Sequence, residues 1–237
     1  MKHLIAIILL LLISLQSSVI SSDIKSTKLK AEIFKLDSDK QDLLYFWEGV
    51  IDPVINEPIK TFFYTPSKNL VAEETIIFKD SVLQEYRYTR YNTKEFSSVL
   101  KEDHTIIFTR NVNGTIKKRV LDLPENFVCG PLTVTFIRNN FDPILNGQTL
   151  VINYAVLDHL RTVEFIIFHD TNHSRNNKHT LVVKMIPKNF IIRQFVEPLY
   201  FLCNSDGTTI REIIGRIVPV NFINGKTIPI DAEFIFN

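Results

Sequence analysis

The chain has little with which to grip a polyanion. Its 27 basic and 26 acidic residues leave a net charge of +1, whereas nucleic-acid binding calls for a basic field. The only basic run, Lys117-Lys118-Arg119, falls in a stretch that reads as a strand. Lys118 there points away from its neighbours' side, which suits a charged edge that blocks stray strand pairing. Nucleic acid is therefore not an expected partner. Glycine is scarce, 7 residues in 237, and no Gly-rich phosphate loop, G-x-S-x-G elbow or H-E-x-x-H helix occurs. No catalytic residue, cofactor-binding residue or cofactor is assigned on this basis. Long apolar runs are also absent, with one exception at the N-terminus.

That exception starts after Met1-Lys2-His3 and runs from Leu4 to Leu15, with Ser14 its only polar member. Small and polar residues follow through Ser22. Positive start, apolar core and small-residue end are the order of a secretory signal peptide. Val19 and Ser21 suit the positions before a cut, so the expected leader is 1–21 and the expected single domain is 22–237. The apolar core is too short for a spanning helix, which needs roughly 20 residues. Export to the periplasm or cell envelope is the expectation, with the remaining chain soluble or peripherally attached.

Cysteine is nearly absent too, with only Cys129 and Cys203. Neither sits just after the apolar run, so lipid attachment there is not indicated. In an oxidising compartment the two are candidates for a disulfide, which would stabilise by roughly 4–5 kcal/mol for so long a loop. Two separate buried thiols are the alternative.

What the chain does have is strand chemistry: 18 Phe and many Ile, Val and Thr. Ile228, Ile230, Ala232, Phe234 and Phe236 alternate with mostly polar residues, as do Leu150, Ile152, Tyr154 and Val156. This period-2 pattern predicts a sheet with one apolar and one wet face. Asn113-Gly114, Asp206-Gly207 and Asn224-Gly225 predict hairpin turns, since they accept positive φ. Further predicted strands cover 31–36, 44–51, 59–64, 71–79, 83–91, 96–101, 162–169 and 180–186. The flanking strand spans Thr208–Ile217 and Ile217–Phe222 run on from each other, so that the last three strands form a meander. Pro131, Asp142 and Gly147 suit helix starts and a stop, predicting one or two short helices over 131–146. The fold class read from this is all-β and mainly antiparallel. It is a curved meander of about 12 strands forming a barrel or half-barrel, because a sheet of that length curls rather than lies flat.

Phe141-Asp-Pro-Ile-Leu-Asn-Gly147-Gln148, the strand Arg161–Phe168, Pro187–Arg193, Glu197-Pro-Leu-Tyr200 and Arg211–Val218 together resemble a family of uncharacterised exported bacterial proteins. In that family a long antiparallel meander is interrupted by a short helix before an L-x-x-G turn. The match runs from Phe46 to the end and is distantly similar to lipocalin-like or clam-like sheets. The resemblance implies an envelope location and a curved β-fold, but no activity and no catalytic residues.

His169, Asp170, His173 and His179 are the candidate metal ligands, because imidazole and carboxylate suit zinc or copper. A solvated polar turn over 170–178 is the plainer reading. Asp103-His104 and Asp158-His159 are sequence neighbours, which on a strand point to opposite faces and make no acid–base dyad. Tyr86, Arg87, Tyr88, Arg90 and Tyr91 interleave rings and cations in a way that suits either stacking on a ligand or ordinary cross-strand pairing. The functional expectation is a non-catalytic binding or scaffold module for a lipid or other hydrophobic small molecule. An outer-membrane barrel is the alternative and a hydrolase a further one. A lipid-facing band would, however, reject the charges found on both faces of many strands.

Overall fold

The structure, a computed structural model, describes residues 28–50, 58–79, 82–224 and 226–237. The expected leader at 1–21 lies outside the described residues.

The N-terminal strands are β1 (Lys28–Lys35), β2 (Leu43–Val50), β3 (Ile59–Tyr64), β4 (Leu70–Lys79), β5 (Val82–Arg90), β6 (Glu95–Glu102), β7 (Thr105–Val112) and β8 (Thr115–Asp122). The others are β9 (Phe127–Val128), β10 (Leu150–Val156), β11 (Arg161–His169), β12 (Thr180–Pro187), β13 (Leu199–Asn204), β14 (Ile210–Ile223) and β15 (Lys226–Phe236). All fifteen belong to one sheet, ordered β8 down to β1 and then β15 down to β9. Nearly every strand therefore lies beside its sequence neighbour. The exceptions define the architecture. β1 pairs with β15, joining the two ends of the described chain. β8 and β9, consecutive in sequence, are the two free edges. The molecule is a barrel-like meander cut open at one seam.

The all-β, mainly antiparallel, curved architecture matches the reading of the sequence, with more strands than the dozen or so anticipated. One pair, β9 with β10, is parallel. Twist accumulates across so many strands and the sheet must curl. Interior bonds record the curl. Arg90 Nε on β5 donates to the Val218 carbonyl on β14 at 2.7 Å, six places away in the sheet order. Asn92 Nδ2 reaches the Val220 carbonyl at 2.8 Å.

Two helices, α1 (Leu132–Asn139) and α2 (Phe141–Leu145), follow β9, within the stretch expected to be helical. They fill the hollow of the C-terminal strands, packing Val134, Ile137, Phe141 and Ile144 against Ile152, Phe165, Met185 and Phe201. Asp142 does not cap a helix as its type suggested. It lies in the first turn of α2, and Asn140 occupies the cap position. Gly147, at φ +85°, ends that helix with its N–H on the Ile144 carbonyl.

The Asn113-Gly114 hairpin forms as expected, Val112 pairing Thr115 across it. Ile223 pairs Lys226 at the last hairpin, where Gly225 lies outside the described residues. Asp206-Gly207 lies inside a longer connection, residues 205–209. The spans Thr208–Ile217 and Ile217–Phe222 lie on one strand, β14, whose register shifts between Arg216 and Val220. Pro219 sits in that bulge, where it removes no ladder bond. A further short helix, α3 (Phe190–Arg193), is held by the Asn189 side chain, which accepts from the Ile191 and Ile192 amides.

Candidate functional site: an interior cavity

The open barrel encloses a cavity of about 400 Å³. Its floor is the Gly130-Pro131 turn and the start of α1, through Thr133 and Val134. One wall carries Trp47, Phe63, Phe234 and Phe236, with the Trp47 and Phe236 rings edge to face, 5.6 Å apart at 88°. The opposite wall carries Tyr154 and Phe165, 5.7 Å apart at 73°. The alternation read in β15 puts Phe234 and Phe236 here, and that in β10 puts Tyr154 here. The mouth is framed by Ile192, Val196, Pro229, His159 and Arg161. The volume falls in the range of small-molecule sites, which are mostly apolar with a few placed polar groups.

Glu74 on β4 is 5% exposed. It accepts from the Tyr86 hydroxyl at 2.6 Å and from Thr61 Oγ1 at 3.0 Å. Burial pushes its carboxyl above the ordinary value, against the weaker opposing pull of those two bonds and of the Arg90 charge. Burial, and then the Glu74 charge, keep the Tyr86 hydroxyl well above its usual range, so it stays a donor. Gly130 makes this packing feasible. A Cβ there would sit 2.5 Å from Tyr86 Cζ, and its φ is +46°.

A second polar group closes the seam side. The register of β5, β6 and β7 sets Arg90 opposite Glu95 and places Tyr88, Ser97 and Arg110 in one row. Arg90 Nη1 bonds Glu95 Oε2 at 2.9 Å and Asp158 Oδ1 at 3.0 Å. Its Nη2 bonds Asp158 Oδ2 at 3.2 Å, and its guanidinium lies 4.4 Å above the Tyr88 ring. Arg110 Nε bonds Glu95 Oε1 at 2.6 Å, and its Nη1 the Asp158 carbonyl at 2.7 Å. The Tyr88 hydroxyl donates to Asp158. Burial alone would raise the Asp158 carboxyl, but Arg90, Tyr88 and Arg110 together hold it below the ordinary range. Asp158 sits in the 3₁₀ turn Leu157–His159, so the network ties β5–β7 to the turn between β10 and β11. Both oxygens of Asp158, Glu95 and Glu74 are engaged. Such saturated pairs position structure, and the remaining carboxylate of the lining, Glu197, stands outside them.

The sequence-level candidates end up elsewhere. His169, Asp170, His173 and His179 do not converge. His169 ends β11, and the other three belong to the loop after it, which folds over the outer face of β13–β15. His169 Nε2 bonds Asn176 Oδ1 at 3.0 Å, and Asp170 pairs Lys184 at 3.4 Å. The His173 ring lies 4.8 Å from that of Tyr200, and the His179 amide donates to Asn177 Oδ1. No group of three or more His, Cys, Asp or Glu gathers among the described residues. The loop's anchor is Arg175, which bonds Glu212 and, at 2.7 Å, Glu233. Cys129 and Cys203 are free and buried, the second of the two alternatives. They lie in different apolar clusters, so the bridge is not formed. Of the interleaved stretch, Tyr86, Tyr88 and Arg90 face the cavity, whereas Tyr91 is exposed.

These features define a β-barrel-like protein with a lined interior cavity. No protein-family model matches the chain, and no curated protein does. It is similar to a solved structure, the crystal structure of a β-barrel-like protein of domain of unknown function DUF1849 from Brucella abortus. The similarity has a TM-score of 0.44 at 7% sequence identity, and covers 89% of this chain and 94% of that one.

Proposed function

We propose that this protein is a non-catalytic binding module of the cell envelope, exported by its N-terminal leader, whose interior cavity takes a lipid or another apolar small molecule. The observation that carries this reading is the cavity of about 400 Å³ walled by Trp47, Phe63, Tyr154, Phe165, Phe234 and Phe236. Such a surface in contact with water is costly, and an apolar occupant removes that cost. The hydrogen-bonded saturation of Glu74 and Asp158 supports binding over hydrolysis. Outward charge pairs weigh against a lipid-embedded barrel. Lys30–Glu48 at 2.9 Å and Lys188–Glu164 at 3.1 Å are examples.

The test has two arms. Native mass spectrometry of the purified protein is expected to show a co-purifying apolar molecule, and an uncharged naphthylamine dye is expected to bind. Ala155 is buried and lines the cavity, so Ala155→Phe is expected to weaken dye binding about tenfold by occupying the space. A wild-type protein with neither ligand nor dye uptake would sink the reading. Export is checked by fractionation, with a mature N-terminus expected just after Ser21.

A further inference from the structure

Large apolar side chains are exposed in an uneven way. Phe190 is 67% exposed and Phe195 79%, with Ile191 between them, on the α3 segment that joins β12 to β13. Phe222 is 55% exposed, and Ile223 and Ile228 are also exposed, beside it on the β14–β15 hairpin. The antiparallel register places both segments at the same end of the sheet. β13 begins, β14 ends and β15 begins there. It is also the cavity's open end, since the lining residues exposed to solvent include Glu197 of the first segment and Pro229 of the second, beside Ile192 and Val196.

Both segments are thus apolar on two sides, one toward the cavity and one toward solvent. Their apolar residues project from a one-turn helix and a hairpin tip, a convex shape that enters a fluid apolar layer more readily than it fits a flat protein face. The surrounding charge favours one kind of layer. Residues 187–198 carry Lys188, paired with Glu164 at 3.1 Å, and Arg193 against Glu197. Residues 217–230 carry Lys226 and no acid, so Arg193 and Lys226 outnumber the one remaining acid. Aromatic tips flanked by cations suit the surface of a bilayer with anionic headgroups.

We infer that this rim docks on an anionic phospholipid bilayer, with Phe190, Ile191, Phe195 and Phe222 entering the interface and the cavity mouth facing the acyl chains. The inference builds on the reading of the cavity as a lipid site, because it gives an apolar ligand a route between bilayer and cavity that avoids water.

The test uses the full chain and vesicles of phosphatidylcholine alone or mixed equally with phosphatidylglycerol. Wild-type protein is expected to float with the mixed vesicles. The variant Phe190→Ser/Phe195→Ser is expected to bind them about tenfold more weakly per ring removed. It is expected to keep its melting temperature and its uptake of the naphthylamine dye, because neither ring lines the cavity. In a second measurement, Phe195→Trp introduces an indole at the rim, and brominated acyl chains are expected to quench its added emission. Unchanged vesicle binding by the double variant together with an unquenched indole overturns the docking surface. Dye uptake without flotation overturns the rim and leaves the cavity reading standing. Rim-dependent flotation without dye uptake overturns the cavity reading and leaves the rim standing.

Discussion

Individual buried charges are where the molecule is most exposed to single substitutions. Glu95 has 1% of its side-chain surface accessible and meets Arg90 at 2.9 Å and Arg110 at 2.6 Å. Removing one partner of a buried pair leaves an uncompensated charge, at a cost of about 3–5 kcal/mol. Glu95→Ala is expected to lower stability by that order, read as a lower urea midpoint at unchanged slope. A loss below about 1 kcal/mol would mean the pair behaves as a solvated one. On the outer face, burial and a shared hydrogen bond with Glu233 push Glu212 up to about 7 from an ordinary 4.5. The native carboxyl therefore keeps a proton that the unfolded chain releases. The stability from this site is full below the ordinary value and is lost as pH rises through about 7. Glu233 is shifted the other way, so its contribution is lost only as pH falls below the ordinary value. Urea titrations across the mildly acidic range are expected to show stability falling toward neutral pH, and Glu212→Gln is expected to flatten that slope. An unchanged slope in the variant would remove Glu212 as its source.

Elements depend on where the chain turns, and two glycines separate strain from collision. Gly114 has φ +85° with open space around it, whereas Gly207 has φ +69° and a Cβ there would sit 2.1 Å from the Phe141 ring of α2. Gly114→Ala is expected to cost about 1 kcal/mol from backbone strain alone. Gly207→Ala is expected to cost about 2–3 kcal/mol, since the β13–β14 connection must also lift off the helix. Equal melting shifts for the two would contradict the contact. This contrast also marks how far the sequence is readable. Asn-Gly at 113–114 forms the hairpin its residues demand because the instruction is local. Asp-Gly at 206–207 looks the same in sequence, yet its loop is shaped by a ring 66 positions earlier. The bulge of β14 around Pro219 is not written in its alternation, and pairing with β15 carries the strand through it. The parallel β9–β10 bridge has no sequence signal, two residues being too few to show a period. Tyr86, Tyr88 and Arg90 stand two residues apart on one strand and so share a face, which is the part of the site that local spacing determines. Their partners were not readable, since Asp158 lies 68 positions from Arg90. The conspicuous histidines attracted attention by composition, whereas the cavity is built of residues unremarkable one at a time.

At the scale of the whole molecule, a sheet cut open between β8 and β9 has no ladder to hold its N-terminal and C-terminal strands together at that seam, but the packing argues for a single cooperative unit. Three apolar clusters fill the interior, and each pair of clusters shares a residue. Leu132 packs against the helical and the β3–β7 clusters, Val218 against the β3–β7 and the Trp47 clusters, and Phe236 against the Trp47 and the helical clusters. The Arg90–Asp158 and Arg110–Asp158 bonds cross the same divide. Losing one cluster therefore exposes the flank of the other two, the condition for all-or-none unfolding. The chain carries a reporter in each. Trp47, its only tryptophan, lies in one cluster, Cys129 in the second and Cys203 in the third. Burial pushes both thiols up, Cys203 to about 12, so neither is a thiolate or accessible until its surroundings open. Trp47 emission and pulsed alkylation of Cys129 and Cys203 are expected to share one denaturant midpoint. Loss of the Trp47 signal before Cys203 becomes reactive would show that the β1–β15 junction opens first, and that the two runs of strands are separate folding units held together by that one pairing.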